Sequence, residues 1–223
     1  MTVPSSWKAL TIRQPWASLI CPGPGIAPVK TIETARPKWS YRGPVLIHAG
    51  KEWAPGWRGR WFSRGDIEGT PGRILETVGV LDELAEDING SGYYRLDRYA
   101  QRAVPLGAVI GVARITDCLP VLDQDEAIAA DLADLPYPRI ESSVSGVLWL
   151  FHPTLGDPID PEDGCSDISD QEPYGDFSPG THALLLDDIV SLPRPIPATG
   201  RLGLWNPDAE LVAAVEAQIG DLW

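Results

Sequence analysis

The sequence has little that would place the chain in a membrane, in a disulfide-bonded class or in a metal-binding class. No apolar run approaches the roughly 18 residues that a membrane-spanning helix needs, and the opening MTVPSSWKAL lacks the basic start and apolar core of a cleavable signal. Cys21, Cys118 and Cys165 form no CxxC pair, and with three histidines they make no plausible zinc set. We therefore expect buried thiols, a cytoplasmic location, and neither a metal nor a membrane partner.

Motifs for common cofactors and for serine hydrolases are also missing. GPGIAP lacks the lysine and serine of a phosphate loop, and neither a Rossmann glycine pattern nor a Ser-His-Asp order is present. The acidic segment 156–180 lacks the ligand spacing and glycine of a calcium loop, so we expect a solvated, mobile loop there. No cofactor is expected.

The net charge of -13 is unevenly distributed along the chain. Residues 1–75 hold 11 Lys/Arg against 4 Asp/Glu, whereas residues 76–223 hold 7 against 27. An acidic protein binds polyanions poorly as a whole, but a locally basic face can still bind nucleic acid over a limited footprint. The alternative is that the two halves interleave in the fold and their surface charges mix.

Gly and Pro, 22 each, and several short apolar runs favour strands and turns over long helices. The predicted class is α+β: a small mixed β-barrel with flanking helices and loop insertions. Strands are predicted at 8–13, 29–34, 43–50, 107–121, 144–155, 181–196 and 200–205. Helices are predicted from Gln14-Pro15-Trp16 onward and at 73–87, 123–135 and 207–223.

The stretch ALTIRQPWASLI…VKTIETARPKWSYRGPVLIHA resembles the ASCH domain of the PUA-like superfamily, in the form found in bacteria and their phages. The matching pieces are QPW, the Lys30-x-x-Glu33 pair, YRG and LIHA, followed later by PLGAVIGVARITDC and GRLGLW. The resemblance implies one barrel domain over 1–206, with insertions at 53–104 and 156–178, and a C-terminal helix at 207–223. The family pattern has an arginine two residues after the glutamate, where this chain has Ala35 and then Arg36.

The resemblance also implies a cleft beside the first helix, lined by the K-x-x-E motif, that binds RNA or nucleobases. Some small members are similar in motif but are amidohydrolases acting on N4-acetylcytidine through a Thr–Lys–Glu set. In those members the threonine occupies the place held here by Glu33, with Thr31 and Thr34 as neighbours.

Lys30 and Glu33 are the candidate catalytic residues and the centre of the candidate binding site. A desolvated Lys30 has a lowered pKa and can act as a base, or it can hold a phosphate or a base carbonyl. Glu33 can accept from a base's exocyclic amine or transfer protons. The alternative for Glu33 is a structural ion pair with Lys30, Arg36 or Arg42.

The predicted ligand-binding set extends to the neighbouring cations and aromatics. It consists of Arg13, Gln14, Trp16, Lys30, Glu33, Arg36, Trp39, Tyr41 and Arg42. The aromatics can stack on a base and the arginines can bind phosphate, although core packing of Trp16 and Trp39, and bracing of a turn by Arg42, are alternatives.

Outside this set, KEWAPGWRGRWFSRG (51–65) interleaves arginines with tryptophans and predicts either a nucleic-acid flap or an insertion with its own small core. His48, His152 and His182 are expected to be core histidines. Asp117, Asp125 and Glu126 are candidate later acids for a hydrolase.

Two functions therefore remain open: a module that binds nucleic acid, a nucleobase or a nucleotide, and a metal-independent amidohydrolase acting on an N4-acylated cytidine or a similar nucleoside. The expected partner is RNA, another single strand, or a small nucleoside. A metal-free ribonuclease is a weaker third option, because no histidine pair supports it.

Overall fold

A computed structural model describes residues 7–86, 92–98, 100–123, 125–127, 139–143, 147–151 and 165–220 of the chain. Two compact units are present. The first consists of Met1–Val29, Gly43–Arg114 and Asp188–Trp223, and the second of Lys30–Arg42 and Ile115–Asp187.

In chain order the described elements are mostly strands, with a few short helices between them. They are β1 (Lys8–Gln14), α1 (Trp16–Ile20), β2 (Ile32–Ala35), β3 (Gly43–Trp53), β4 (Trp61–Phe62), α2 (Arg64–Glu68), α3 (Thr70–Thr77), β5 (Ala85–Glu86), β6 (Tyr94–Arg95), β7 (Ala108–Leu122), β8 (Arg139–Ser142), β9 (Leu148–Phe151), β10 (Cys165–Asp167), β11 (His182–Pro197), β12 (Leu204–Trp205) and α4 (Ala209–Ile219). Short 3₁₀ segments cover Leu81–Glu83, Ala100–Arg102 and Ser169–Tyr174.

The first unit is built around β1, which pairs in parallel with β3 and antiparallel with β12. Strand β7 continues the order beyond β3. The run GPVLIHAG in β3 is mostly apolar, and its central residues are accordingly buried. Helix α4 contributes Val212, Val215 and Ile219 to a core cluster that also contains Trp7 and Trp205.

The predicted insertion 53–104 contains a small sheet of its own, in the order β4-β6-β5. Its buried side chains include Phe62, Leu75, Val80 and Leu96. The helix predicted at 73–87 is wrong in extent. Helix α3 ends at Thr77, and Gly79 follows with φ +72, a conformation that ends a helix at little cost only for glycine.

The second unit contains β2 paired antiparallel with β11, and a run in which β8 joins β7 in parallel while β9 and β10 follow antiparallel. Its core cluster consists of Ile32, Leu119, Val121, Ile140, Leu148, Leu150, Phe177 and Ala183. The predicted mobile loop is ordered in its described part, where β10 and the 3₁₀ segment Ser169–Tyr174 take up most of residues 165–174.

The α+β class is confirmed, but closure into a barrel is not. Within the described residues the strand order of the first unit ends at β12 and that of the second ends at β10, each with a partner on one side only, and parallel and antiparallel pairs are mixed. The single domain over 1–206 stays a prediction. No described helix has both the length and the apolar character required to cross a bilayer. Most of the helix predicted at 123–135 lies outside the described residues.

Candidate functional site

Lys30 is buried at the entrance to β2, and its amino group is surrounded by acceptors. Only 1% of its side chain is exposed. Nζ donates to the carbonyl oxygens of Ile32 at 2.5 Å and Tyr174 at 2.6 Å, and lies 3.2 Å from Oε2 of Glu33. An ammonium has three donors, so these three acceptors use all of them.

Two opposing effects act on the charge of Lys30. Burial lowers the pKa of Lys30 below its ordinary value of 10.5, and the Glu33 carboxylate partly opposes this. Two carbonyls and a carboxylate offer lone pairs only, so the protonated amine alone satisfies all three. The geometry makes Lys30 a charged cross-link that joins β2 to Tyr174 and orients Glu33.

The pairing of Lys30 with Glu33 depends on where β2 begins. A strand over 29–34 would put residues three apart on opposite faces. In the structure β2 begins at Ile32, so the chain at Lys30 is not part of the strand and its side chain reaches Glu33. Of the three ion-pair partners considered for Glu33, Lys30 is the one that it contacts in the structure.

A segment that follows β10 anchors the motif from the other side. Gln171 is buried, and its Oε1 accepts from the backbone N–H of Thr31 at 2.9 Å. The backbone N–H of Asp176 donates to Oγ1 of Thr34 at 3.0 Å. A Cβ on Gly175 would lie 3.1 Å from a Thr34 methyl carbon, so glycine permits this close approach.

Glu33 is the polar group of this pair that meets solvent. Its side chain is 19% exposed, and no described residue is a partner for its second oxygen, Oε1. Beyond β2 the chain bends at Arg36, where Arg36 and Lys38 are exposed and Trp39 is half-buried. A carboxylate oxygen without a described partner, on a segment that also bears two exposed cations and a half-buried aromatic, suits a ligand with an amine donor and a phosphate.

Arg42 braces its own loop, which is one of the two roles predicted for it; the other is phosphate binding. Its Nη1 donates to the carbonyls of Trp39 at 2.8 Å and Tyr41 at 3.0 Å. Its Nη2 and Nε contact Oδ1 of Asp117 at 2.5 and 3.2 Å. Most of its donors are therefore engaged within the protein. Tyr41 is half-buried.

The remaining predicted ligand residues, Arg13, Gln14 and Trp16, belong to the first unit. Gln14 is fully buried. Its amide nitrogen donates to Oγ of Ser18 at 2.8 Å and to the carbonyl of Pro105 at 2.9 Å, and its oxygen accepts from the N–H of Ser18. Gln14 therefore stabilises the start of α1.

Trp16 and Arg13 differ in their surroundings. Trp16 is half-buried, and its ring meets that of Trp57 edge to face with centroids 5.8 Å apart. This contact is the packing role considered for Trp16. Arg13 is exposed near the end of β1.

The candidate later acids have structural contacts. Asp117 holds Arg42, and Glu126 caps a turn by accepting from the N–H of Asp123 at 3.1 Å. Asp125 is exposed. Among the residues that the structure describes, no group of three His, Cys, Asp or Glu side chains is placed to hold a metal ion.

The described histidines are held by carbonyls. His48 is buried, as expected of a core histidine, and its Nε2 lies 3.1 Å from the carbonyl oxygen of Ala198. His182 is only half-buried, with Nδ1 3.0 Å from the carbonyl oxygen of Arg36. His152 lies outside the described residues.

Sequence reasoning missed the residues that hold the motif from a distance. Gln171 and Tyr174 lie about 140 positions along the chain from their partners, and nothing local to Lys30 points to them. The only signal was the turn-forming composition of QEPYG within a segment expected to be a loop.

Comparison with known proteins gives no further assignment, since neither a protein-family model nor a curated protein matches the chain. The likeness to the ASCH domain thus depends on the motifs themselves.

Proposed function

We propose that the second unit is the ligand-binding part of an ASCH-type, PUA-like protein and that it binds an amine-bearing nucleobase, as a nucleotide or within a single strand. The observation that carries this proposal is the geometry of Glu33. One carboxylate oxygen is fixed by the buried Lys30 ammonium, and the other has no described protein partner.

A carboxylate acceptor favours bases with an exocyclic amine. Glutamate accepts from N4 of cytosine, and uracil offers no amine at that position. Arg36 and Lys38 are exposed on the same segment and supply charge for a phosphate. The half-buried Trp39 supplies a ring that can stack on the base. Arg13, Gln14, Trp16, Tyr41 and Arg42 stay predictions from the sequence, and this proposal does not depend on them.

Titration calorimetry with CMP and UMP tests this function. We expect CMP to bind more tightly than UMP, and Glu33→Gln to remove most of the difference. A hydrogen bond to a charged group contributes about 1.5–3 kcal/mol, which corresponds to roughly 10- to 150-fold in affinity. Glu172→Gln changes an exposed carboxylate of the same unit and serves as the matched control. Equal binding of the two nucleotides, or an unaffected Glu33→Gln, would contradict the proposal.

Amidohydrolase action on an N4-acylated cytidine is the second candidate. One observation favours it: burial lowers the pKa of Lys30, which increases the fraction of neutral amine that can accept a proton. Against it, the described contacts of Nζ are two carbonyls and a carboxylate, with no hydroxyl to activate. Chromatography of N4-acetylcytidine incubated with the protein decides the matter. Conversion to cytidine that is lost in Glu33→Gln would establish the hydrolase in place of the binding module.

A further inference from the structure

The first unit contains a second basic surface that the proposed nucleobase site does not use. A cleft of about 820 Å³ opens between the end of β3 and the segment that follows β6. Five cations line it, against the two carboxylates Glu52 and Asp97. The cations, all exposed, are Lys51, Arg58, Arg95, Arg98 and Arg102.

The protein itself makes little use of these charges. Nη1 of Arg58 lies 3.6 Å from Oε1 of Glu52, but both side chains are more than 60% exposed, so water screens the pair. Among the described residues, no ion-pair or hydrogen-bond partner is found for the guanidinium groups of Arg98 and Arg102. Five cations against two carboxylates leave an excess of positive charge, and a bound anion reduces the repulsion among these cations.

An exposed aromatic ring adjoins the cleft. Trp61 is 48% exposed, and its partner across the β4–β6 pair is Arg95. The Arg95 guanidinium lies 5.4 Å from the Trp61 ring centre while also lining the cleft. The other two tryptophans of the 51–65 motif, Trp53 and Trp57, are buried and account for its small core.

We propose that this cleft binds the phosphate backbone of a single-stranded nucleic acid, with Trp61 stacking on a base. Proteins that bind single strands without sequence preference combine a basic groove with exposed aromatics in this way. Stacking on Trp61 needs an unpaired base, which favours a single strand over a duplex. None of these residues belongs to the Lys30–Glu33 site.

Fluorescence anisotropy with a labelled 12-nucleotide oligothymidylate tests the proposal. Thymine has no exocyclic amine, so oligothymidylate binding does not depend on recognition by Glu33. A failure of nucleobase recognition at Glu33 is therefore distinguishable from a failure of this cleft.

Removal of two arginines should weaken binding in a salt-dependent manner. Each phosphate contact on a single strand contributes about 0.7 to the slope of log affinity against log salt. In Arg98→Ala/Arg102→Ala we expect the slope to fall by about 1.4 and the affinity at 50 mM salt to fall roughly tenfold per contact. Arg73→Ala, which removes an exposed arginine of the same insertion outside the cleft, is the control and should behave as the parent protein.

The stacking role has its own test. Trp61→Ala should weaken oligothymidylate binding by roughly 5- to 150-fold, the range for loss of one base stack, whereas Trp61→Phe should retain most of it. Thermal melting checks that each variant folds. Equal effects of the cleft and Arg73 variants would overturn the proposal. So would binding of a 12-base-pair duplex or of dTTP as tight as that of the oligomer.

Discussion

The cross-link made by Lys30 can be tested by replacing it with methionine, which keeps the side-chain length and removes the charge. The substitution leaves the carbonyls of Ile32 and Tyr174 and one oxygen of Glu33 without their donor. Removal of one partner from a buried ion pair costs about 3–5 kcal/mol. Because the Glu33 side chain is 19% exposed and can be hydrated, we expect the lower end, about 3 kcal/mol.

In thermal unfolding a loss of this size corresponds to a fall in midpoint of about 6–12 °C for a chain of this length. Urea unfolding followed by circular dichroism measures the free energy directly. Lys38→Met is the matched control, since Lys38 is an exposed lysine of the same segment and its replacement should change stability by less than about 0.5 kcal/mol.

Hydrogen exchange locates the effect. The amides of Thr31 and Asp176 donate to Gln171 and Thr34, and both should lose protection in Lys30→Met because the cross-link holds these segments together. If Lys30→Met were as stable as Lys38→Met, the cost of burying the ammonium would equal the benefit of its three contacts. The interpretation of Lys30 as a cross-link would then be refuted.

Three further predictions concern the first unit. Burial lowers the pKa of His48 below 6.5, so the unfolded chain binds a proton first and stability falls as the pH drops below 6.5; urea unfolding between pH 5 and 7.5 should show a shallower fall in His48→Phe, and equal slopes would disprove this. Gln14→Leu removes the three buried hydrogen bonds of the amide and should cost about 2–4 kcal/mol in urea unfolding, whereas a loss below about 0.5 kcal/mol would contradict it. Gly111→Ala places a methyl group against the sulfur of Cys21 and the carbonyl of Val190, and should lower stability by about 1–3 kcal/mol; an unchanged melting temperature would contradict this.

The strands were predictable where an apolar run was long and bounded by turn residues. The run 43–50 was expected as a strand and lies within Gly43–Trp53, and 107–121 corresponds to Ala108–Leu122. These segments are buried, so composition and structure agree.

The prediction of a helix over 73–87 was wrong in extent because the spacing of apolar residues carries no information about pairing with distant strands. Residues 85–86 lie within the predicted helix but form β5 against β6. Strand pairing with β6 outweighed a weak helical preference, as tertiary context often does.

The candidate site shows a similar limit. The sequence indicated that Lys30 and Glu33 act together, but it offered Lys30 as a cation for a ligand. Whether a buried amine has donors left for a ligand depends on every acceptor around it, and one of the three, the carbonyl of Tyr174, is 144 positions away. Because the Tyr174 carbonyl takes up the last donor of Lys30, we expect the Glu33 carboxylate, and not Lys30, to contact the ligand. If Glu33 recognises the base and Lys30 fixes the Glu33 carboxylate, Glu33→Gln should weaken CMP binding and largely preserve the stability of the fold. Lys30→Met should lower the stability of the fold.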